Sequence, residues 1–259
     1  MANDNHEYTD RELMVSAAAR GIEDGDVAFV GMRLPLIAFQ LAVSTHAPNA
    51  LSVFESGVVR DDPADGFIHT MYDLPNLNCA VSTTDMIDTM SRLQRGDVDI
   101  GFLGVAEIDR RGNLNTTRVQ ADEREIRLPG SSGACDIANM AGRTVILMAH
   151  ESRRFVEDVH YNTSPGYGES EEWRTENDVT GGGPDALVTT KATFGFYNGE
   201  LFLKTTHPGV SVNEVQADFP WELQTIGDIG QGKVEETSEP TGRELSLIRK
   251  FDPEGFWTQ

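Results

Sequence analysis

Four short apolar runs, at 26–31, 51–54, 98–103 and 144–148, are separated from one another by turn signals and helix-length segments. Runs this short, rich in Val, Ile, Leu and Phe, read as strands buried on both faces. Strands that alternate with helices cannot pair as hairpins, so the pattern demands an open, mostly parallel α/β sheet covered by helices on both faces. The helices carry their own signals. Thr9 and Glu12 fit a capping box ahead of an apolar stretch over 13–19, which predicts a helix ending at Gly21. Asp24-Gly25 turns the chain into the first strand, and Pro35 opens an apolar helix through Ala42. A further helix is predicted near 84–93 and a last one over 243–249. Beyond Asp185 the pattern changes. Runs at 186–190, 194–197 and 201–205 flank Asn198-Gly199, a strong hairpin signal, so an antiparallel hairpin extends the parallel part.

The whole chain, 1–259, is expected to be a single domain. The turn-rich stretch 166–184, with Glu169, Glu171 and Glu172, reads as a surface excursion, and Gly181-Gly182-Gly183-Pro184 as a flexible turn. Met1 to His6 has neither a basic flank nor an apolar run, and no stretch of about 18 apolar residues occurs. These features predict a cytoplasmic protein with no membrane association. The net charge of -21 arises from 42 acidic residues against 21 basic ones, scattered along the chain. Such a surface disfavours nucleic-acid binding. It suits a halophilic source, because concentrated salt screens the mutual repulsion of the carboxylates. Cys79 and Cys135 are too few for a disulfide framework, and the six histidines show no metal-ligand spacing, so no metal is expected.

Ligands of open parallel sheets bind beyond the carboxyl ends of the strands. Three turns occupy such places: Gly31-Met32-Arg33-Leu34-Pro35, Glu55-Ser56-Gly57 and Gly130-Ser131-Ser132-Gly133-Ala134. Glu55 directly follows a predicted strand, with Gly57 free to bend the backbone, although a turn glutamate at a surface satisfies the same pattern. The small residues of 130–134 let a ligand approach backbone N–H groups, or simply make a tight connection. That loop matches neither a P-loop nor a nucleophile elbow.

These turns and the words around them resemble the β subunits of class I coenzyme A transferases, of the glutaconate CoA-transferase type. The likeness is carried by Val30-Gly31-Met32-Arg33-Leu34-Pro35, by Phe54-Glu55-Ser56-Gly57, and by Asp109 followed closely by Gly112-Asn113-Leu114-Asn115. It extends through Gly130-Ser131-Ser132-Gly133-Ala134-Cys135-Asp136, with Ser132 where the family often has glycine, and through Thr163-Ser164-Pro165-Gly166. The resemblance implies a CoA-transferase-like fold and a ping-pong transfer of CoA from an acyl-CoA to a free carboxylic acid. Glu55 would be the nucleophile, carrying CoA as a glutamyl thioester. Amides around Gly31, Met32, Gly130, Ser131, Ser132, Gly133 and Ala134 would hold oxyanions or CoA. It also implies no tightly bound cofactor, CoA being a substrate, and an α-subunit partner in a heterodimer or a pair of heterodimers. Two alternatives share the fold: a ring-opening CoA-thioester hydrolase, which the presence of Glu55 disfavours, and a non-catalytic ligand-binding module.

Overall fold

The capping box predicted at the start of the chain forms. Thr9 Oγ1 accepts from the Glu12 N–H at 3.1 Å, and Glu12 Oε2 accepts from the Thr9 N–H at 2.9 Å, which opens α1 (Asp10–Ala19). The computed structural model describes residues 7–121, 124–168, 170 and 172–259. Met1 to His6, Glu169 and Glu171, which entered the readings above, lie outside them.

From α1 the chain runs through β1 (Val27–Phe29), α2 (Leu34–Val43), β2 (Leu51–Val53), β3 (Val58–Arg60), α3 (Leu74–Leu77), β4 (Ser82–Thr83), α4 (Met86–Arg95) and β5 (Ile100–Gly104). Two small antiparallel pairs follow, β6 (Glu107–Ile108) with β7 (Leu114–Asn115) and β8 (Arg118–Ala121) with β9 (Arg124–Arg127). Next come α5 (Ala134–Met140), β10 (Arg143–Met148), α6 (Trp173–Glu176), β11 (Pro184–Thr189), β12 (Ala192–Tyr197) and β13 (Glu200–Thr206). The chain closes with α7 (Val212–Gln216), the edge strands β14 (Gln224–Thr225) and β15 (Glu235–Glu236), and α8 (Gly242–Phe251).

The main sheet has the order β14-β13-β12-β11-β10-β5-β1-β2-β3-β4, with β15 also on β13. Its centre, β11-β10-β5-β1-β2, is parallel, as the alternating runs require. Residues of one strand divide between two cores by the period of two. Ala28, Val145 and Leu147 join α1, α2 and α8, whereas Phe29, Ile146 and Met148 join Leu93 of α4 and Ile137 of α5. The α2 helix is buried from Pro35 to Val43 because α1, α8 and the sheet enclose it, which explains an apolar composition without a polar face. Among the described residues no helix is long and apolar enough to cross a membrane.

The predicted hairpin is present, with Asn198 and Gly199 both at positive φ, 51° and 71°, as a tight primed turn needs. Two expectations need correction, and one edge of the sheet goes beyond what the sequence predicts. The second antiparallel edge, β2-β3-β4, was not anticipated, because β3 and β4 are too short to show alternation. The strand expected from Val98 starts at Ile100, since the Asp99 carboxylate accepts the Val27 N–H at 2.8 Å and fixes the strand's entry. Gly181 to Gly183 is no flexible turn. A Cβ on Gly182 would stand 2.1 Å from the Gly142 carbonyl oxygen and one on Gly181 2.5 Å from that of Ala141, so glycine permits two backbones to cross in contact. Arg174, buried at the adjoining α6, donates to the carbonyls of Gly181, Gly166 and Ala138 and so ties α6 to these backbone segments.

Candidate active site

Glu55 sits one residue past the buried Phe54 at the end of β2, in a turn closed by the Gly57 N–H donating to the Phe54 carbonyl at 2.8 Å. Gly57 has φ 91°, and a Cβ there would lie 2.0 Å from the Thr84 carbonyl oxygen. The turn therefore packs against the segment before α4 at a distance only glycine allows, and Glu55 is left half-buried at the strand end.

The 130–134 loop meets it from the far side of the sheet order. Ser132 Oγ donates to Glu55 Oε1 at 3.1 Å, and the Glu55 carboxyl lies 3.7 Å from where a Gly133 Cβ would be. Glycine at 133 thus keeps space beside the carboxylate. Ser132 is left-handed at φ 44° and Gly130 has φ 98°, so the loop bends twice within three residues. Its entry is pinned by Thr116: the Gly130 N–H donates to the Thr116 carbonyl and Thr116 Oγ1 to the Gly130 carbonyl, both at 2.9 Å. Thr116 is placed in turn by Thr163, whose Oγ1 accepts the Thr116 N–H at 3.0 Å. The Asp109 to Asn115 segment supports this arrangement. Asp109 Oδ1 accepts the N–H groups of Arg111 and Asn113, and Asn115 Oδ1 accepts that of Thr117, so its carboxylate and amide groups shape backbone rather than touch a substrate. Burial pushes the Asp109 carboxyl above the ordinary range, against hydrogen bonds that lower it.

A cavity of about 910 Å³ opens at the carboxyl ends of β1, β5 and β10; Glu55 is not among its lining residues and connects to it through the 130–134 loop. Gly31, Met32, Gly130 and Ala134 line it, together with Arg11, Arg33, Arg154, Phe256 and Trp257. Ser132 and Gly133 instead contact Glu55, while Ser131 contributes a carbonyl that accepts the Ala134 N–H. The eight candidate residues thus gather at one end of the sheet. Arg33 precedes α2 at φ 69°, ψ -128°, the conformation of the first central residue of a type II′ turn, where glycine is usual. Holding a side chain there costs about 1–3 kcal/mol. Its guanidinium lies 5.3 Å from the centre of the Trp257 ring. No local sequence signal identifies Arg11, Arg154, Phe256, Trp257 or the two threonines, since their roles depend on partners far away in the chain. Another hollow, of about 660 Å³, adjoins the β12–β13 turn and includes Glu172, Glu200 and Asp228 in its lining, but none of the candidate residues.

Cys135 follows the loop on α5. Burial, with Asp136 beside it, raises its thiol above the ordinary range, which suits a packing residue rather than a nucleophile. His150 and His207 are buried near Thr189, away from Glu55's contacts, with burial lowering the pKa of each.

Comparison with known proteins agrees with this geometry. The family model described as coenzyme A transferase matches residues 11–218. The B-type subunit of the 3-oxoadipate CoA-transferase of Pseudomonas knackmussii is 33% identical over 255 residues, covering 95% of this chain and 94% of that one. The B-type subunit of the glutaconate CoA-transferase of Acidaminococcus fermentans is 29% identical over 256 residues, covering 95% and 93%. The crystal structure of the A. fermentans glutaconate coenzyme A-transferase superposes with a TM-score of 0.87 at 28% identity over 98% of both chains. The decarboxylase AibA/AibB superposes at 0.79 with 26% identity, over 96% of this chain and 97% of that one. Fold and family match extend along most of the sequence, and this chain belongs to the coenzyme A transferase family.

Proposed function

We propose that this chain is the B-type subunit of a heteromeric CoA-transferase and that Glu55 is its covalent nucleophile. The observation that carries the reading is the state of that carboxylate. Among the described residues no cation pairs with it, its hydrogen-bond partner is the Ser132 hydroxyl, and the loop that carries Ser132 lines, through Gly130 and Ala134, a cavity large enough for an acyl thioester. A Glu55 oxygen attacks the acyl-CoA carbonyl, forming an acyl-glutamyl anhydride and expelling CoA thiolate. The thiolate attacks the glutamyl carbonyl of the anhydride, releasing the first acid and leaving glutamyl-CoA. An acceptor carboxylate then attacks that thioester, and the thiolate returns to the acceptor's carbonyl, which frees Glu55. Each bond made replaces one of similar energy, and one difficult exchange becomes several easier ones. Every addition develops an oxyanion. Amides at Gly31, Met32 and residues 130–134 are the donors we assign to it, because rigid amides stabilise such charge without reorganising.

The same reading calls for an α subunit. Tyr72, Leu74, Val81, Met86 and Ile87 are all more than half exposed, an apolar strip along the segment that packs on the Glu55 turn through Thr84. Such a strip marks a surface that a partner covers, and closing it would exclude water that otherwise hydrolyses the anhydride. We place the enzyme in the cytoplasm, where CoA esters are made; its two free cysteines, Cys79 and Cys135, accord with a reducing compartment.

The test uses the chain co-expressed with its partner subunit. Incubation with acyl-CoA alone, followed by borohydride and mass spectrometry, is expected to label Glu55 in the wild type and not in Glu55→Gln. Transfer in that variant should fall at least about 10⁴-fold, the scale seen when a covalent nucleophile is removed. Full transfer activity in Glu55→Gln would remove Glu55 as the nucleophile, and turnover of CoA esters to free CoA without label would replace transfer by hydrolysis or another chemistry of this fold.

A further inference from the structure

The chain carries two carboxylates for every cation, yet the strand-end cavity reverses that sign. Among its described lining residues are three arginines, Arg11, Arg33 and Arg154, and neither an aspartate nor a glutamate. Two of the three are committed to the protein. Arg11 donates to the carbonyls of Trp257 and Gln259 at 3.2 and 2.7 Å, and Arg154 donates to that of Val105 at 3.1 Å and reaches Glu151 at 3.4 Å. Arg33 is different. Among the described residues its guanidinium has no hydrogen bond and no ion pair, only the face of Trp257 at 5.3 Å. It also occupies a backbone conformation that glycine would adopt without penalty and an L side chain adopts rarely. In the free protein the exposed guanidinium gains only the Trp257 contact, which at an exposed site is worth less than the backbone conformation costs. The flat guanidinium fork does match a carboxylate or a phosphate in a two-point contact.

Its position fits an acyl-CoA site. Phe29 of β1 pairs with Val53 of β2, so Gly31 and Glu55 extend from adjacent strand ends, about 4.8 Å apart in a sheet, with Arg33 two residues further along. We propose that Arg33 is a specificity-determining residue that leaves the Trp257 face to pair with an anionic group of the bound substrate. That group is either the distal carboxylate of a dicarboxylic acyl chain or a phosphate of CoA. The inference rests on the reading of this cavity as the acyl-CoA site.

The experiment compares wild type, Arg33→Gly and Arg33→Lys as complexes with the partner subunit. Glutaryl and valeryl donors, differing in the distal carboxylate, are each supplied as CoA and as pantetheine thioesters, the latter lacking phosphates. Arg33→Gly, which suits the backbone, should keep or raise the thermal midpoint. A fall in kcat/KM of about 100-fold, the scale of a lost charge-assisted contact, confined to glutaryl esters assigns the acyl carboxylate. A fall shared by both CoA esters and absent with pantetheine esters assigns the phosphate. Arg33→Lys, which retains charge without the fork, should recover part of either loss. Equal kcat/KM of wild type and Arg33→Gly on every donor overturns the inference. A direct binding arm separates this from failure of the transferase reading. Titration with glutarate or with CoA should change tryptophan fluorescence in wild type but not in Arg33→Gly or Trp257→Phe. If the wild-type complex transfers no CoA yet this signal appears, the function falls and the anion site stands; if neither ligand gives the signal, the anion site falls.

Discussion

A single carboxylate at a strand end becomes chemically useful only through what surrounds it. Gly57 lets the turn approach the Thr84 backbone, Gly133 leaves room beside the carboxyl, and Ser132 orients one oxygen without neutralising the charge. Elsewhere single residues set the response to acid. Burial pushes the His150 imidazole down to about 4, with Asp218 opposing the shift, while Phe155, Phe194 and Phe219 surround the ring. The unfolded chain takes up this proton near pH 6.5, whereas the folded protein resists it until about pH 4. Stability present above pH 6.5 is therefore lost as pH falls through that window, by up to about 3 kcal/mol. Carboxylates held low by hydrogen bonds, such as Asp73, act at more acid pH. The urea midpoint should drop between pH 7 and 5, and the drop should be shallower in His150→Asn; an unchanged slope would remove His150 as its cause. His207, also lowered by burial, should leave a residual slope.

The segment between β3 and α4 is irregular over most of its length and largely exposed. It keeps its shape through Arg60, whose buried guanidinium donates to the carbonyls of Asp62, Pro63, Asn76 and Asn78 at 2.7–3.2 Å. A charged side chain with carbonyl partners braces a loop that has little core of its own, and the loop displays its large apolar residues outward. Leu74→Glu and Ile87→Glu should abolish co-purification with the α subunit. They should shift the isolated chain's stability by no more than about 0.5 kcal/mol, as surface changes do. Retained complex would move the interface elsewhere. With a partner on this face, β4, an exposed two-residue edge, would need no further protection.

For the molecule as a whole, the charge of -21 is the dominant long-range term. At 0.1 M salt the Debye length is about 10 Å, comparable to the spacing of surface carboxylates, and at 1 M it is about 3 Å. The thermal midpoint is therefore expected to rise between 0.1 and 2 M sodium chloride, as self-repulsion is screened. Equal midpoints and equal monodispersity at the two concentrations would remove the halophilic reading. The arginine-lined cavity departs from this negative field, and a local sign reversal of that kind would draw an anionic ligand from solution.

Local signals made much of the architecture legible. The box at Thr9 and Glu12, the Asn198-Gly199 turn and the apolar runs each depend on residues within one or two turns of chain; the box and the turn form as read, and the runs form strands with shifted bounds. Glu55 could be picked out as a strand-end carboxylate for the same reason, while the family resemblance singled it out from other turn glutamates. The close packing of Gly181 and Gly182, the partnership of Glu55 with Ser132 across 77 residues, and the sign of the cavity could not be read locally. They arise because parallel crossovers bring distant strand ends to one edge of the sheet, where neighbours are set by topology and not by spacing along the chain. The sequence by itself determined which segments become strands and helices and where a reactive carboxylate could stand. The tertiary structure alone decided that this carboxylate meets Ser132, and that Arg33 stands uncommitted at the strand-end cavity.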